Sequence, residues 1–184
     1  MKLDLNFDPF PELKTPRLVL RRPNMADAMN LYLLRSDQEV SAFLDRPQPS
    51  SIEEIEELLG QILFDINHNN TINWIITMKG DNSLIGTIGF WRIEKEHLRV
   101  EIGYMLFPEY QRRGLMKEAL HAVIQFGFQK MNLHSIEANC NPLNTRSIKL
   151  LENNHFIREA YFKENFYFNG KFFDSIVYSR LNHR

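Results

Sequence analysis

Pro108-Glu109-Tyr110-Gln111-Arg112-Arg113-Gly114-Leu115-Met116-Lys117-Glu118-Ala119 joins an alternating segment to an amphipathic one through a basic, glycine-bearing turn. Upstream, Val100, Ile102, Tyr104 and Leu106 alternate with Glu101, Gly103 and Met105, the period of a strand. Downstream, Leu115, Ala119, Ala122, Val123 and Phe126 fall on one face at helical spacing. A helix that starts at such a turn leaves its first N–H groups unpaired and aims the positive end of its macrodipole at the turn. Anionic phosphates are favoured there, and Gly114 lets a ligand approach the backbone without a Cβ in the way. The turn therefore reads as a pyrophosphate cradle.

The flanking segments follow from the same periodicities. Residues 1–14 mix Asp, Pro and Phe without a period and are expected to form a lead-in arm, and 17–22 read as a strand. Ala26, Met29, Leu31, Leu33 and Leu34 begin a helix expected to run, with a break, through Val40 and Phe43, until Pro47 and Pro49 stop it. Ser50 or Ser51 followed by Glu53 and Glu54 starts the next helix acid-first, with Ile55, Leu58, Leu59, Ile62 and Phe64 as its buried stripe. A meander follows over 72–78, 83–93 and 98–107, its first turn at Gly80-Asp81-Asn82. Beyond the cradle helix, 135–140 is a short strand, Asn141-Pro142 opens another helix and Asn153-Asn154 closes it. Strands over 157–168 and 172–181 meet at Asn169-Gly170, a strong hairpin signal. Residues 1–184 are thus expected to form one α+β domain, a mixed, mostly antiparallel twisted sheet of about seven strands flanked by about four helices.

Composition narrows the classes. The chain has 184 residues, 43% hydrophobic and 12% aromatic, enough for a substantial core. Twenty-two basic and 23 acidic side chains leave no global field for gripping nucleic acid or an anionic membrane, so any phosphate binding must be local. No stretch reaches the roughly 20 apolar residues of a spanning helix, and Met1-Lys2-Leu3-Asp4 does not open like a signal peptide, so the expected setting is the cytoplasm. A single cysteine, Cys140, excludes an intrachain disulfide framework.

The residues that could carry chemistry gather around the same turn. Six histidines without ligand spacing, and no C-x-x-C pair, speak against a metal site. Glu101 stands on the strand face opposite Val100 and Ile102; it could act as a general base if partial burial raised its pKa, or be an ordinary partner of Arg99 or Arg92. Asn144 and Ser147 share a helical face at the opening of a helix, where they could reach a ligand or cap the helix. Arg112, Arg113, Arg146 and Lys149 surround the cradle as phosphate partners or as a solvated basic face. Cys140 reads as a small buried hydrophobe rather than an acyl-carrying nucleophile, because the only candidates in sequence to activate it, His134 and His155, are distant. The aromatic run from Tyr161 to Phe173 reads as sheet packing rather than a stacking platform for bases.

Gln111-Arg112-Arg113-Gly114-Leu115-Met116 resembles the Q/R-x-x-G-x-G/A signature of the GNAT superfamily of N-acetyltransferases, with Met116 where Gly or Ala is usual. Further segments are similar to the same superfamily: Thr15 to Arg21, Leu84 to Phe90 and Glu101 to Tyr104 as strands, and Asn144 to Glu152 as the N-x-x-S helix of the ribosomal-protein N-terminal acetyltransferase branch. The resemblance implies acetyl-CoA as cosubstrate, no metal, and direct transfer of acetyl to a primary amine. It assigns cofactor contacts to Tyr104, Met105, Leu106, Gln111, Arg112, Arg113, Gly114, Leu115, Met116, Asn144 and Arg146. It also implies that the strand carrying Tyr104 splays from its neighbour to pair with the pantetheine arm, that Ser147 delivers a proton to the leaving thiolate, and that Glu101 is the base. The expected acceptor is the N-terminal α-amine of a protein such as a ribosomal protein. A small amine (a polyamine, amino acid or antibiotic) and a catalytically silent acyl-CoA-binding module are the competing readings. Neither nucleic acid nor membrane is an expected partner, and a homodimer stays open.

Overall fold

The computed structural model describes residues 2–44 and 46–182. In chain order its elements are β1 (Leu13–Lys14), β2 (Leu18–Arg21), α1 (Ala28–Ser36), α2 (Gln38–Ser41), α3 (Ile52–Asn67), β3 (Ile72–Met78), β4 (Gly86–Glu94), β5 (Arg99–Leu106), α4 (Leu115–Gln129), β6 (Ser135–Cys140), α5 (Thr145–Glu152), β7 (Ile157–Phe168) and β8 (Lys171–Leu181). The strands form one sheet in the order β1-β2-β3-β4-β5-β6-β8-β7, antiparallel everywhere except between β5 and β6.

Local chemistry sets the element ends. Asp37 adopts an extended conformation that ends α1, and its carboxylate then accepts the Val40 N–H to cap α2, which is the break expected in this helical stretch. Asn169 and Gly170 both have positive φ, as a two-residue type I′ hairpin turn requires, and they join β7 to β8. Two expected starts move. The strand placed from residue 83 begins at Gly86, because the Ser83 N–H is held by the Asp81 carboxylate in the preceding turn. The helix placed from Asn141 begins at Thr145, because Asn141 Oδ1 accepts the Leu143 N–H in a turn of its own and Asn144 becomes the cap.

Each face of the sheet carries a core. On one face α4 lays Leu115, Ala119, Leu120 and Val123 against Trp74, Phe90, Val100 and Ile102. On the other, α1 and α3 pack Leu31, Leu34, Ile55 and Leu59 against Ile75. The arm is part of the first core: Phe7 is buried in it and the Trp74 indole donates to the Pro11 carbonyl at 2.7 Å. Its lack of period concealed this, since a plug needs one well-placed aromatic and no repeat.

The parallel pair decides what the sheet can do. β5 and β6 register only through Arg99↔Ser135, Val100↔Ile136 and Glu101↔Glu137. Beyond these pairs β5 continues along β4 to Leu106, while β6 continues along β8 to Cys140, so the sheet opens into a wedge.

Candidate functional site

Two cavities flank the wedge, and Phe43, Leu44, Tyr104 and Met105 line both. The smaller, about 430 Å³, is bounded by α2, the end of β5, the turn before α4 and the face of α5. The larger, about 690 Å³, is lined by Trp91, Arg92, Glu101 and Gly103 of the sheet, by α1 and α3, and by Asn165, Phe166 and Ser175 of the last hairpin. Backbone polarity follows from the ladder. The Phe107 N–H bonds Ile85 O on the β4 side, so antiparallel alternation turns the N–H groups of Met105 and Gly103 the same way and those of Leu106 and Tyr104 toward the wedge.

The turn before α4 has the form its sequence implied. Arg112 and Gly114 take left-handed φ values of 58° and 74°, and Gly114 is the residue before the first turn of α4. A Cβ on Gly114 would stand 3.5 Å from an Arg17 guanidinium nitrogen, an ordinary contact, so it is the backbone conformation that calls for glycine here. Glu118, one turn into α4, accepts hydrogen bonds from the Thr15 hydroxyl, the Arg17 N–H and Arg17 Nε, while Arg17 Nη1 donates to the Arg113 carbonyl at 2.9 Å. Burial pulls the Glu118 carboxyl upward, but these hydrogen bonds and the Arg17 charge outweigh it and hold it below the usual range. The sheet edge thereby locks the turn in place.

Gln111 binds the end of β5 to α5: its Nε2 donates to Leu106 O and its Oε1 accepts from Arg146 Nη1, both at 2.9 Å. Arg146 reaches on to Glu39 of α2 at 3.5 Å. Arg112, Lys117, Arg146 and Lys149 line the smaller cavity, against Glu39 as its one carboxylate among the described residues. Leu115, Met116 and Asn144 line it as well. Arg113 does not; its guanidinium lies over the Tyr110 ring, 5.7 Å from the centroid, and its carbonyl is the atom Arg17 holds. Lys117 was not singled out from the sequence, although a lysine in the first turn of a helix opposes the macrodipole and so asks for a local anion.

The hydroxyl of Tyr104 and the hydroxyl of Ser147 share a hydrogen bond of 2.7 Å where the two cavities meet. Burial pushes the Tyr104 phenol above its usual value, so it keeps its proton. Asn144 Oδ1 accepts the Ser147 N–H at 3.0 Å, the capping geometry. Glu101 lies on the larger cavity and pairs with Arg92 at 3.1 Å. Burial raises its carboxyl, Arg92 pulls the other way, and Glu137 and Glu94 add to the rise, leaving it above the ordinary glutamate value. Arg99, the other partner weighed for Glu101, bonds Glu94 and Glu137 instead. Cys140 lines the larger cavity, and burial pushes its thiol up to about 11, which keeps it protonated at neutral pH. The sequence pointed to Tyr104 for its backbone and did not disclose that its hydroxyl meets Ser147, 43 residues away. Among the described residues no group of three or more His, Cys, Asp or Glu could hold a metal ion, and no helix is long and apolar enough to cross a membrane.

Comparison with known proteins adds a second line. Residues 17–157 match the acetyltransferase (GNAT) domain family. The chain is 33% identical to the uncharacterized N-acetyltransferase YoaA of Bacillus subtilis over 175 residues, 95% of this chain and 99% of that one. It is 23% identical to the spermidine N(1)-acetyltransferase of Vibrio cholerae over 158 residues, 86% of this chain and 89% of the relative. The crystal structure of the ribosomal-protein-S5-alanine acetyltransferase from Vibrio fischeri matches with a TM-score of 0.83 at 26% identity, covering 94% of this chain and 97% of that one.

Proposed function

The chain belongs to the acetyltransferase (GNAT) family and is an N-acetyltransferase, and from that premise we propose that it transfers acetyl from acetyl-CoA directly to the N-terminal α-amine of a protein. The observation that carries this reading is the wedge between β5 and β6, which opens both cavities onto Tyr104 and Met105. A donor entering from one side and an acceptor from the other meet there without a covalent enzyme intermediate, which the protonated Cys140 thiol would not support.

The smaller cavity fits the donor. The left-handed turn and the start of α4 present backbone N–H groups, Arg112 and Lys117 to the pyrophosphate and the remaining phosphate, α5 adds Arg146 and Lys149, and Gln111, Arg113 and Gly114 form the turn that Leu115 and Met116 continue into α4. Asn144 orders the start of α5 and so holds Ser147 in place. Acetyl-CoA brings a thioester whose acetyl group is ready for attack by nitrogen. The Leu106 and Tyr104 N–H groups that face the wedge polarise its carbonyl. Glu101, raised by burial, takes a proton from the incoming ammonium, directly or through water. As the C–S bond breaks, Ser147, held by its hydrogen bond to the Tyr104 hydroxyl, delivers a proton to the departing thiolate and is restored by the proton that the newly acylated nitrogen gives up.

Three considerations bear on a protein N-terminus as acceptor. An α-amine has a pKa near 8 against about 10.4 for lysine, so a modestly raised carboxylate suffices to deprotonate it. The larger cavity, bounded by α1 and α3 on one side and the β7–β8 hairpin on the other, has room for an extended chain end. Likeness in structure to the S5-alanine enzyme spans nearly the whole of both chains, and the spermidine relative is also covered along most of its length. The residues from 1 to 184 act as one domain in this reading. Thiol release from acetyl-CoA against Ser- and Ala-initiated peptides, spermidine and free lysine tests it: peptides should be favoured at least about tenfold in kcat/KM, about 1.4 kcal/mol in transition-state binding. A better small-amine substrate would remove the protein acceptor and leave the transferase.

A further inference from the structure

The larger cavity contains two cations that the reaction above does not use. Arg35, on the last turn of α1, and Arg46, in the segment before α3, both line it, and both are half-buried. No carboxylate among the described residues lies within ion-pair distance of either guanidinium. Arg46 instead directs Nη2 at the sulfur of Met105, 3.1 Å away, a weak acceptor. The two arginines also act on each other: burial and the Arg35 charge together lower Arg46 to about 10. Glu54 is the acid felt by Arg35, but it is not within ion-pair distance, and its Oε2 accepts the N–H and hydroxyl of Ser50.

The other charges of the cavity are accounted for. Glu101 pairs with Arg92, and Asp65 is held by Gln61 and Asn70 at the end of α3. A surplus of positive charge therefore sits at the end of the cavity nearest Met105, where an anion would find a planar, bidentate partner and would separate two like charges.

We propose that Arg35 and Arg46 form an anion clamp for the acceptor, so that the preferred substrate is a primary amine that also carries a carboxylate: an N-terminus with an acidic residue at the second or third position. The proposal rests on the acetyl-transfer reading and gives it a substrate class. Glu101 and Met105 stand four residues apart on one face of β5, about 13 Å, and three extended residues span about 10 Å. An acidic side chain two residues from the end thus reaches Arg46 while the amine stays beside Glu101. Polycations such as spermidine are disfavoured by the same clamp.

The test compares Ser-Glu-Ala-Ala-amide with Ser-Gln-Ala-Ala-amide as acceptors, and serine with serinamide to separate an acidic side chain from a free α-carboxylate. The acidic peptide should be preferred at least about tenfold in kcat/KM, with Arg46→Gln and Arg35→Gln each removing most of the preference and Arg46→Lys retaining part of it. The KM for acetyl-CoA should stay within about twofold in all three variants, which also reports that they fold. Calorimetric binding of both peptides to the protein without acetyl-CoA supplies a readout independent of turnover. Tighter binding of the acidic peptide without transfer keeps the clamp and overturns the proposed reaction. Equal affinities for the two peptides, a preference that survives Arg46→Gln, or a spermidine rate above that of the acidic peptide overturns the clamp. Serine outrunning both peptides would assign the clamp to a free amino acid and overturn the peptide acceptor.

Discussion

The two cavities that meet at Tyr104 and Met105 are built by different means. The smaller draws most of its polar groups from two short contiguous runs, the turn into α4 and the start of α5, and its character comes from backbone: left-handed residues, unpaired helix-start N–H groups and a capped helix. The larger takes its groups from α1, α3, β3, β4, β5, the end of β6 and the last hairpin, and its character comes from side chains that only tertiary structure brings together. A site made of backbone holds one ligand and tolerates exchange of most of its side chains. A site made of side chains from separate elements can be retuned one residue at a time, which is how one scaffold takes on different amines.

This contrast breaks if a change in one cavity moves the ligand of the other. The largest effect belongs to Glu101→Gln, expected to lower kcat/KM for the amine about 10²- to 10⁴-fold while acetyl-CoA affinity stays as it was. The pH profile checks the same residue with a definite sign. Burial raises the Glu101 carboxyl, so the wild-type rate should fall on the acid side with a midpoint above the ordinary glutamate value, as the active carboxylate is protonated. In the glutamine variant that acid limb should be flat. A weakened acetyl-CoA KM together with an unchanged limb would return Glu101 to a structural partner of Arg92.

Gly114→Val should act on the other side. A β-branched residue at φ 74° carries about 1–2 kcal/mol of strain and displaces the turn, so acetyl-CoA binding should weaken about ten- to a hundredfold, with peptide binding in calorimetry preserved. Tyr104→Phe and Ser147→Ala probe the shared boundary. Each should lower kcat by about tenfold with little change in either KM, and the double variant should fall well short of the product, because the two hydroxyls serve one proton path. Strict multiplication of the two losses would separate them. The smallest effect is expected for Asn144→Ala, which removes the cap of α5 and should cost about 1 kcal/mol of stability, a shift of about 2–4 °C in Tm by calorimetry.

The same contrast explains what could be read from the sequence. The strands at 72–78, 135–140 and 157–168 have the bounds placed from the sequence, the last because Asn169-Gly170 fixes where its hairpin turns. The turn from Gln111 to Met116 was legible because its form depends on neighbours in sequence. What escaped depends on distant contacts or competing turns. Ser83 and Asn141 were read into regular elements, and their own local hydrogen bonds withdrew them. The two-residue β1 pairs with β2, which makes eight strands among the described residues rather than about seven. The break at Asp37 and the separate α2 make five α-helices among the described residues rather than about four. Arg46 meets Met105 across 59 positions, and nothing in the composition of either segment announces it.

The short register of β5 with β6 governs how the reaction can begin. A sheet zipped along its full length would have to break rungs each time a ligand threaded between its strands. Here the rungs end at Glu101↔Glu137, and the two diverging strands are held apart by β4 on one side and β8 on the other. The gap is made once, when the chain folds, and stands ready at every turnover. Entry then trades water for ligand rather than protein hydrogen bonds for ligand, so the association rate should follow diffusion and solvent viscosity, without the steep temperature dependence that marks local unfolding.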